Sequence, residues 1–312
     1  MTAPPAAAPK RTERRGTGAV PADVLRQVKR IELRTRGLVN SRFIGEYHSV
    51  FKGMGMEFAE VREYEPGDEV RTIDWNVSAR MRRLFVKRYV EERELTVLLI
   101  VDCSGSARGG AGARDKQAVA AELAAVLALT ATRNNDRVGL LMHSDRVEHV
   151  VPPRKGRRHA LRLVRDVLAW PSTSRGTDLG AGMDYAARLL SHRGIVFVLS
   201  DFVSPDLEGP VTRLSQRNDV VAIVLDDPAE RTLPDAGVAR LRDAETGRLV
   251  EVDTSDARVR ARYAALVRAE QLARQQMLRR HAVDEVLVPL ETGYIEPLMR
   301  FFRTRETRAR RR

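Results

Sequence analysis

The stretch LLIVDCSGS, Leu98–Ser106, decides the fold of this chain. A largely apolar run over residues 95–101 ends at the carboxylate of Asp102, and the small-residue turn that follows carries the hydroxyls of Ser104 and Ser106. An apolar run of this length is typical of a strand buried on both faces, which predicts a parallel α/β sheet. Because open α/β sheets bind ligands outside the carboxyl ends of their strands, we expect a binding site at this corner.

Further oxygen-bearing side chains follow at later strand ends and loops. Thr177 lies in RGTDLG, just before a helical pattern, and Asp201 ends a second apolar run, GIVFVLSDF. Hard divalent cations prefer carboxylate and hydroxyl oxygens of this kind. The sequence therefore predicts a cation site at the corner of Asp102, Ser104 and Ser106, with Thr177 and Asp201 as its candidate partners.

In order and spacing, these five residues resemble the metal-ion-dependent adhesion site of von Willebrand factor A domains. The resemblance implies an α/β, Rossmann-like fold with a mostly parallel sheet and helices on both faces. It also implies that Ser104 and Ser106 bind the cation directly, that Thr177 binds directly or through one water, and that Asp102 and Asp201 act mainly through water. Mg²⁺ is the expected cation, with Mn²⁺ or Ca²⁺ as alternatives. Two carboxylates leave such a cation electrophilic, so an acidic residue of a partner is expected to complete its coordination.

A longer pattern precedes the first strand of that fold. The run G-x-G-x-EF-x-x-x-R-x-Y-x-PGD-x-x-R-x-IDW-x-x-x-AR resembles the family catalogued as domain of unknown function 58. Its signature positions here are Gly55, Glu57, Phe58, Arg62, Tyr64, Pro66, Gly67, Asp68, Arg71, Asp74, Trp75 and Arg80. The resemblance implies an adaptor or assembly module without enzymatic activity. It also implies a MoxR-type AAA+ ATPase as partner, in the folding, maturation or activation of a client protein.

Composition shifts divide the chain into four parts. Residues 1–20 are expected to form a disordered basic arm, and residues 21–93 a helix followed by an irregular strand-rich segment that contains the signature. The von Willebrand factor A-like domain is expected over 94–302, followed by a disordered Arg-rich tail over 303–312. The tail carries six arginines and one glutamate, so much of the net charge of +12 lies at the chain ends.

The cysteine content and the apolar runs of the sequence also exclude some classes of protein. A single cysteine, Cys103, rules out an intrachain disulfide and fits a reducing compartment. No run approaches the roughly 18 apolar residues of a membrane span. A soluble cytoplasmic protein, with at most peripheral membrane contact and without a small-molecule substrate, is therefore expected.

Two other functions remain open at this stage. A Mg²⁺-dependent phosphohydrolase of haloacid-dehalogenase type would use Asp102 as nucleophile, although such enzymes want a second aspartate where this chain has Ser104. Alternatively, the basic tails would bind nucleic acid electrostatically, although the folded part is only mildly basic.

Overall fold

The structure, a computed structural model, describes residues 22–38, 45–47, 50–51, 56–91, 94–108, 115–172, 174 and 176–310. The arm expected over residues 1–20 lies outside these ranges, as do Gly55 and the final arginines at 311–312.

The N-terminal part combines helices with one antiparallel strand pair. Its elements are α1 (Ala22–Leu38), β1 (Met56–Glu63), α2 (Trp75–Met81) and β2 (Phe85–Glu91). β1 pairs antiparallel with β2, as expected for a strand-rich segment. The helix α2 interrupts that pattern because the Asp74 carboxylate accepts hydrogen bonds from the N–H groups of Asn76 and Val77 and so caps a helical turn.

The rest of the described chain is an alternation of strands and helices. In chain order its elements are β3 (Thr96–Asp102), α3 (Lys116–Arg133), β4 (Arg137–His143), β5 (Val147–Arg154), α4 (Arg157–Ala169), α5 (Leu179–Leu189), β6 (Ile195–Ser200), α6 (Glu208–Ser215), β7 (Asp219–Asp226), β8 (Val238–Arg242), β9 (Leu249–Asp253), α7 (Ala257–Arg280), β10 (Asp284–Pro289) and α8 (Ile295–Arg310).

Six strands form the central sheet in the order β10-β7-β6-β3-β4-β5. All neighbouring pairs are parallel except β4 and β5, whose three-residue link makes an antiparallel hairpin. The chain order runs outward in one direction from β3 and in the other from β6. The boundary between these two central strands is the topological switch point, the place where open α/β sheets bind their ligands.

Helices cover both faces of this sheet. In β3, Val97, Leu99 and Val101 face a core shared with α1, α3, α4 and α8, whereas Leu98 and Ile100 face a core shared with α5, α6 and α7. All five β3 side chains are almost fully buried, as a strand covered on both faces requires. The expected mostly parallel α/β sheet with helices on both faces is confirmed. Within the described ranges, no helix combines the length and the apolar character needed to cross a membrane.

The Arg-rich tail differs from the disordered segment expected over residues 303–312, because α8 continues to Arg310. Arg305 pairs with Asp219, the first residue of β7, and Arg308 pairs with Asp284, the first residue of β10. These carboxylates lie at the amino edge of the sheet and attract the basic end of the helix. The tail is therefore docked on the edge opposite the predicted cation site.

Candidate metal and docking site

Four of the five predicted ligands meet at the switch point. Asp102 is the last residue of β3, and Ser104 and Ser106 follow it directly. Asp201 comes directly after Ser200, the last residue of the neighbouring strand β6. Parallel pairing thus places both aspartates at the carboxyl edge of the sheet, as the sequence predicted.

Asp102 ties the two strand ends together. One carboxylate oxygen accepts a hydrogen bond from the backbone N–H of Ser104 at 2.9 Å, and the other accepts one from the Ser200 hydroxyl at 2.7 Å. The Ser200 hydroxyl in turn accepts from the N–H of Phe202 at 3.0 Å. The Asp102 side chain is buried, so it fixes the corner from within.

The two serines provide the adjacent oxygens that a cation needs. The hydroxyls of Ser104 and Ser106 are hydrogen-bonded to each other, and their oxygens lie 3.1 Å apart. Neighbouring ligands of an octahedral Mg²⁺, bound at about 2.1 Å, are separated by about 3 Å. The serine pair therefore has the spacing of two neighbouring ligands of one hard cation.

Thr177 reaches the same edge from a different loop. The N–H of Asp178 donates to the carbonyl of Ser144, just beyond the end of β4, and the Asp178 carboxylate caps α5 by accepting from the N–H of Ala181. The hydroxyl of Thr177 donates to the carboxylate of Glu245, which lies between β8 and β9. The structure thus brings Thr177 to the carboxyl edge and adds an acidic neighbour that the sequence did not indicate.

Asp201 has a buried cationic partner, Lys116. The Lys116 ammonium lies 3.2 Å from a carboxylate oxygen of Asp201 and 2.7 Å from one of Glu230, and its side chain is only 1% exposed. Burial by itself lowers the pKa of Lys116, but attraction to Asp201 and the hydrogen bond to Glu230 outweigh burial and raise the pKa. Lys116 therefore remains a fixed positive charge that offsets part of the acidity at the edge.

The donor set fits a hard cation held largely by hydroxyls. Within the ranges the structure describes, no group of three or more His, Cys, Asp or Glu side chains is arranged to hold a metal ion. Ser104 and Ser106 would supply two hydroxyl oxygens at neighbouring ligand positions, and the buried Asp102 carboxylate lies behind them. Asp201 is engaged by Lys116, which suits a role through water better than direct binding. The individual ligand roles stay predictions.

The signature residues divide into a structural and an exposed group. Arg62 donates to Asp68 at 2.6 Å, and this hydrogen bond is the main reason that the pKa of Asp68 is lowered. Gly67 between β1 and α2 has φ +113°, which only glycine adopts without strain. Trp75, in contrast, is 64% exposed. The remaining described signature positions are Glu57 and Phe58 in β1, Tyr64 and Pro66 after it, Arg71 in a 3₁₀ turn, Asp74 at the cap and Arg80 in α2.

Comparison with solved structures gives partial alignments at low sequence identity. The conserved hypothetical protein BatB from Bacteroides thetaiotaomicron aligns with a TM-score of 0.40 and 16% identity, over 60% of this chain and 98% of that one. The SpRpn10 VWA domain aligns with a TM-score of 0.39 and 13% identity, over 66% of this chain and 94% of that one.

Sequence comparison gives closer relatives. Uncharacterized protein Rv1480 of Mycobacterium tuberculosis (strain ATCC 25618 / H37Rv) is 32% identical over 223 residues, which is 70% of each chain. Uncharacterized protein MAV169 of Mycobacterium avium is 30% identical over 158 residues, which is 50% of this chain and 93% of that protein. Residues 60–273 match the family described as "Protein of unknown function DUF58". Since this match spans most of the chain and includes the Arg62–Arg80 part of the signature, the chain belongs to the DUF58 family.

Proposed function

We propose that this protein is a metal-dependent protein-interaction module whose docking surface is the carboxyl edge of its sheet. The observation that carries the proposal is the pair of serine hydroxyls, 3.1 Å apart, beside Asp102 at the switch point. A Mg²⁺ ion on these oxygens would keep an open position for a carboxylate of a partner protein. The partner's acidic residue would then be recognised through the cation.

The charges around the edge support docking over hydrolysis. Lys116 lies between Asp201 and Glu230 and offsets one of these two negative charges, which lowers the acidity around the cation and favours attraction of an incoming acid. Both oxygens of Asp102 already accept hydrogen bonds within a buried corner, which disfavours its use as a nucleophile. We therefore assign the protein no enzymatic activity of its own.

The proposed partner is a MoxR-type AAA+ ATPase, with a client protein that the pair folds, matures or activates. This assignment rests on the family signature that precedes β3. We expect the ATPase, the client or both to present an aspartate or glutamate to the cation.

A binding experiment with purified components tests this function. Immobilised full-length protein is incubated with a MoxR-type ATPase from the same organism. One sample contains about 5 mM Mg²⁺, and the other contains a chelator in excess, which removes bound divalent ions. The wild type is expected to retain the ATPase only with Mg²⁺, and Asp102→Asn, which keeps the shape but removes the charge, is expected to lose it. Asp206→Asn changes an exposed acid beyond β6 and serves as the matched control that keeps binding.

Equal retention by all three proteins with and without chelator would rule out metal-dependent docking. Turnover of a generic phosphate ester by the wild type, lost in Asp102→Asn, would replace the docking module by a phosphohydrolase.

A further inference from the structure

The acidic neighbour of Thr177 belongs to a projecting β-hairpin. β8 pairs antiparallel with β9 in a two-stranded sheet separate from the central one. Val238, Leu249 and Val250 are exposed on its strands, so the hairpin buries little apolar surface of its own. An isolated two-stranded hairpin is only marginally stable in water, and contacts with the body therefore determine its position.

The two ends of the hairpin are held differently. At its base, Thr254 bonds to Ala236 and Gly237, and the guanidinium of Arg260 donates to the Thr254 carbonyl at 2.6 Å. At its tip, the Asp243 carboxylate accepts from the N–H groups of Glu245 and Thr246 at 2.8 and 2.9 Å. This turn fixes the backbone that presents Glu245 to Thr177.

The contact places a carboxylate on a predicted ligand. The Thr177 hydroxyl donates its proton to Glu245, which leaves the lone pairs of the hydroxyl oxygen available to a cation. A carboxylate has two oxygens, and only one accepts this hydrogen bond. Its second oxygen is therefore not engaged by Thr177, and this acid comes from the same chain.

We propose that Glu245 is a ligand supplied in cis, which completes the cation's coordination and makes the β8–β9 hairpin a built-in competitor of the acidic partner. This inference rests on the proposed function, since it requires the cation at the serine corner. Glu245 would leave the cation only when a carboxylate of a partner protein takes its place. Docking would then be coupled to movement of the hairpin tip.

Mn²⁺ alone, in place of Mg²⁺, is the probe that tests this inference. Its affinity is measured by calorimetry, and hydrogen exchange of residues 238–253 is measured with and without Mn²⁺, on the full chain. Glu245→Gln is expected to weaken Mn²⁺ binding by about tenfold or more and to abolish Mn²⁺-dependent protection of the hairpin. The matched control is Glu251→Gln, which changes an exposed glutamate paired with Arg240 in the same hairpin and is expected to behave as the wild type.

The outcomes distinguish the proposed cation site from the proposed role of Glu245 as its ligand. Wild-type Mn²⁺ affinity in Glu245→Gln, with hairpin exchange insensitive to Mn²⁺, would overturn the role of Glu245 and leave the cation site intact. Absence of Mn²⁺ binding in the wild type itself would overturn the cation site and this inference with it.

Discussion

Asp136 is a carboxyl buried at the amino edge of the sheet, just before β4. It accepts hydrogen bonds from the N–H of Leu95 at 3.0 Å and from the hydroxyl of Tyr47 at 3.2 Å. Burial raises the pKa of Asp136 to about 6, although these two hydrogen bonds lower it in part. The folded protein therefore binds a proton at Asp136 at pH values where the unfolded chain has released it.

This pKa predicts how stability depends on pH. Because the folded pKa lies above the unfolded one, the contribution of Asp136 to the free energy of unfolding falls as pH rises from about 4 to about 6 and then stays constant. Asp136→Asn removes this contribution, so its free energy of unfolding relative to the wild type is expected to rise between these pH values, as measured by urea unfolding at several pH values. Asp23→Asn, at an exposed acid of α1, should keep the wild-type slope. An unchanged slope in Asp136→Asn would show that Asp136 is ionised throughout this range.

The residues that the sequence did not reveal are charged partners that lie far away along the chain. Lys116 is 85 residues from Asp201 and 114 from Glu230, and Thr177 is 68 from Glu245. Asp102, Ser104, Ser106 and Asp201 were predictable because each follows a strand whose apolar pattern is local. Which lysine or glutamate meets them depends on how the intervening helices and the hairpin pack, and no local pattern records that.

At the scale of elements, strands and helices with a clear apolar pattern were predictable, whereas the end of α8 was not. The apolar residues of α8 stop at Phe302, so the arginines beyond it read as a solvated tail. Their partners lie elsewhere in the chain: Asp219 and Asp284 for Arg305, and Glu46 for Arg303. Ion pairs with the sheet edge, rather than apolar periodicity, extend this helix.

Arg305 is therefore expected to anchor α8. Its guanidinium is 20% exposed, pairs with Asp219, and lies 5.1 Å from the centre of the Phe51 ring. Arg305→Ala leaves a largely buried carboxylate without its partner and is expected to lower the free energy of unfolding by about 2–4 kcal/mol. Arg300→Ala removes an exposed pair with Glu296 on the same helix and should cost at most about 0.5 kcal/mol. Similar losses in the two variants, measured by chemical denaturation, would argue that the tail is not docked.

In the whole molecule, the two edges of the sheet hold different sets of charged and polar residues. The amino edge holds the basic end of α8, and the carboxyl edge holds the serine corner with Asp201 and Lys116. The resemblance implied a mostly parallel sheet with helices on both faces, but not its strand order. The structure adds that β3 and β6 are neighbours, and their parallel pairing brings Asp102 and Asp201 to one edge. The hairpin that faces Thr177 is an addition whose position only the folded chain defines.

We propose that oxygens from separate loops at this edge bind one divalent cation. Anomalous diffraction at the manganese edge, from crystals grown with MnCl₂, tests it most directly. We predict one strong peak about 2.1 Å from the hydroxyl oxygens of both Ser104 and Ser106, absent from crystals of Asp102→Asn. Crystals of the wild type without a manganese peak at these serines would contradict it.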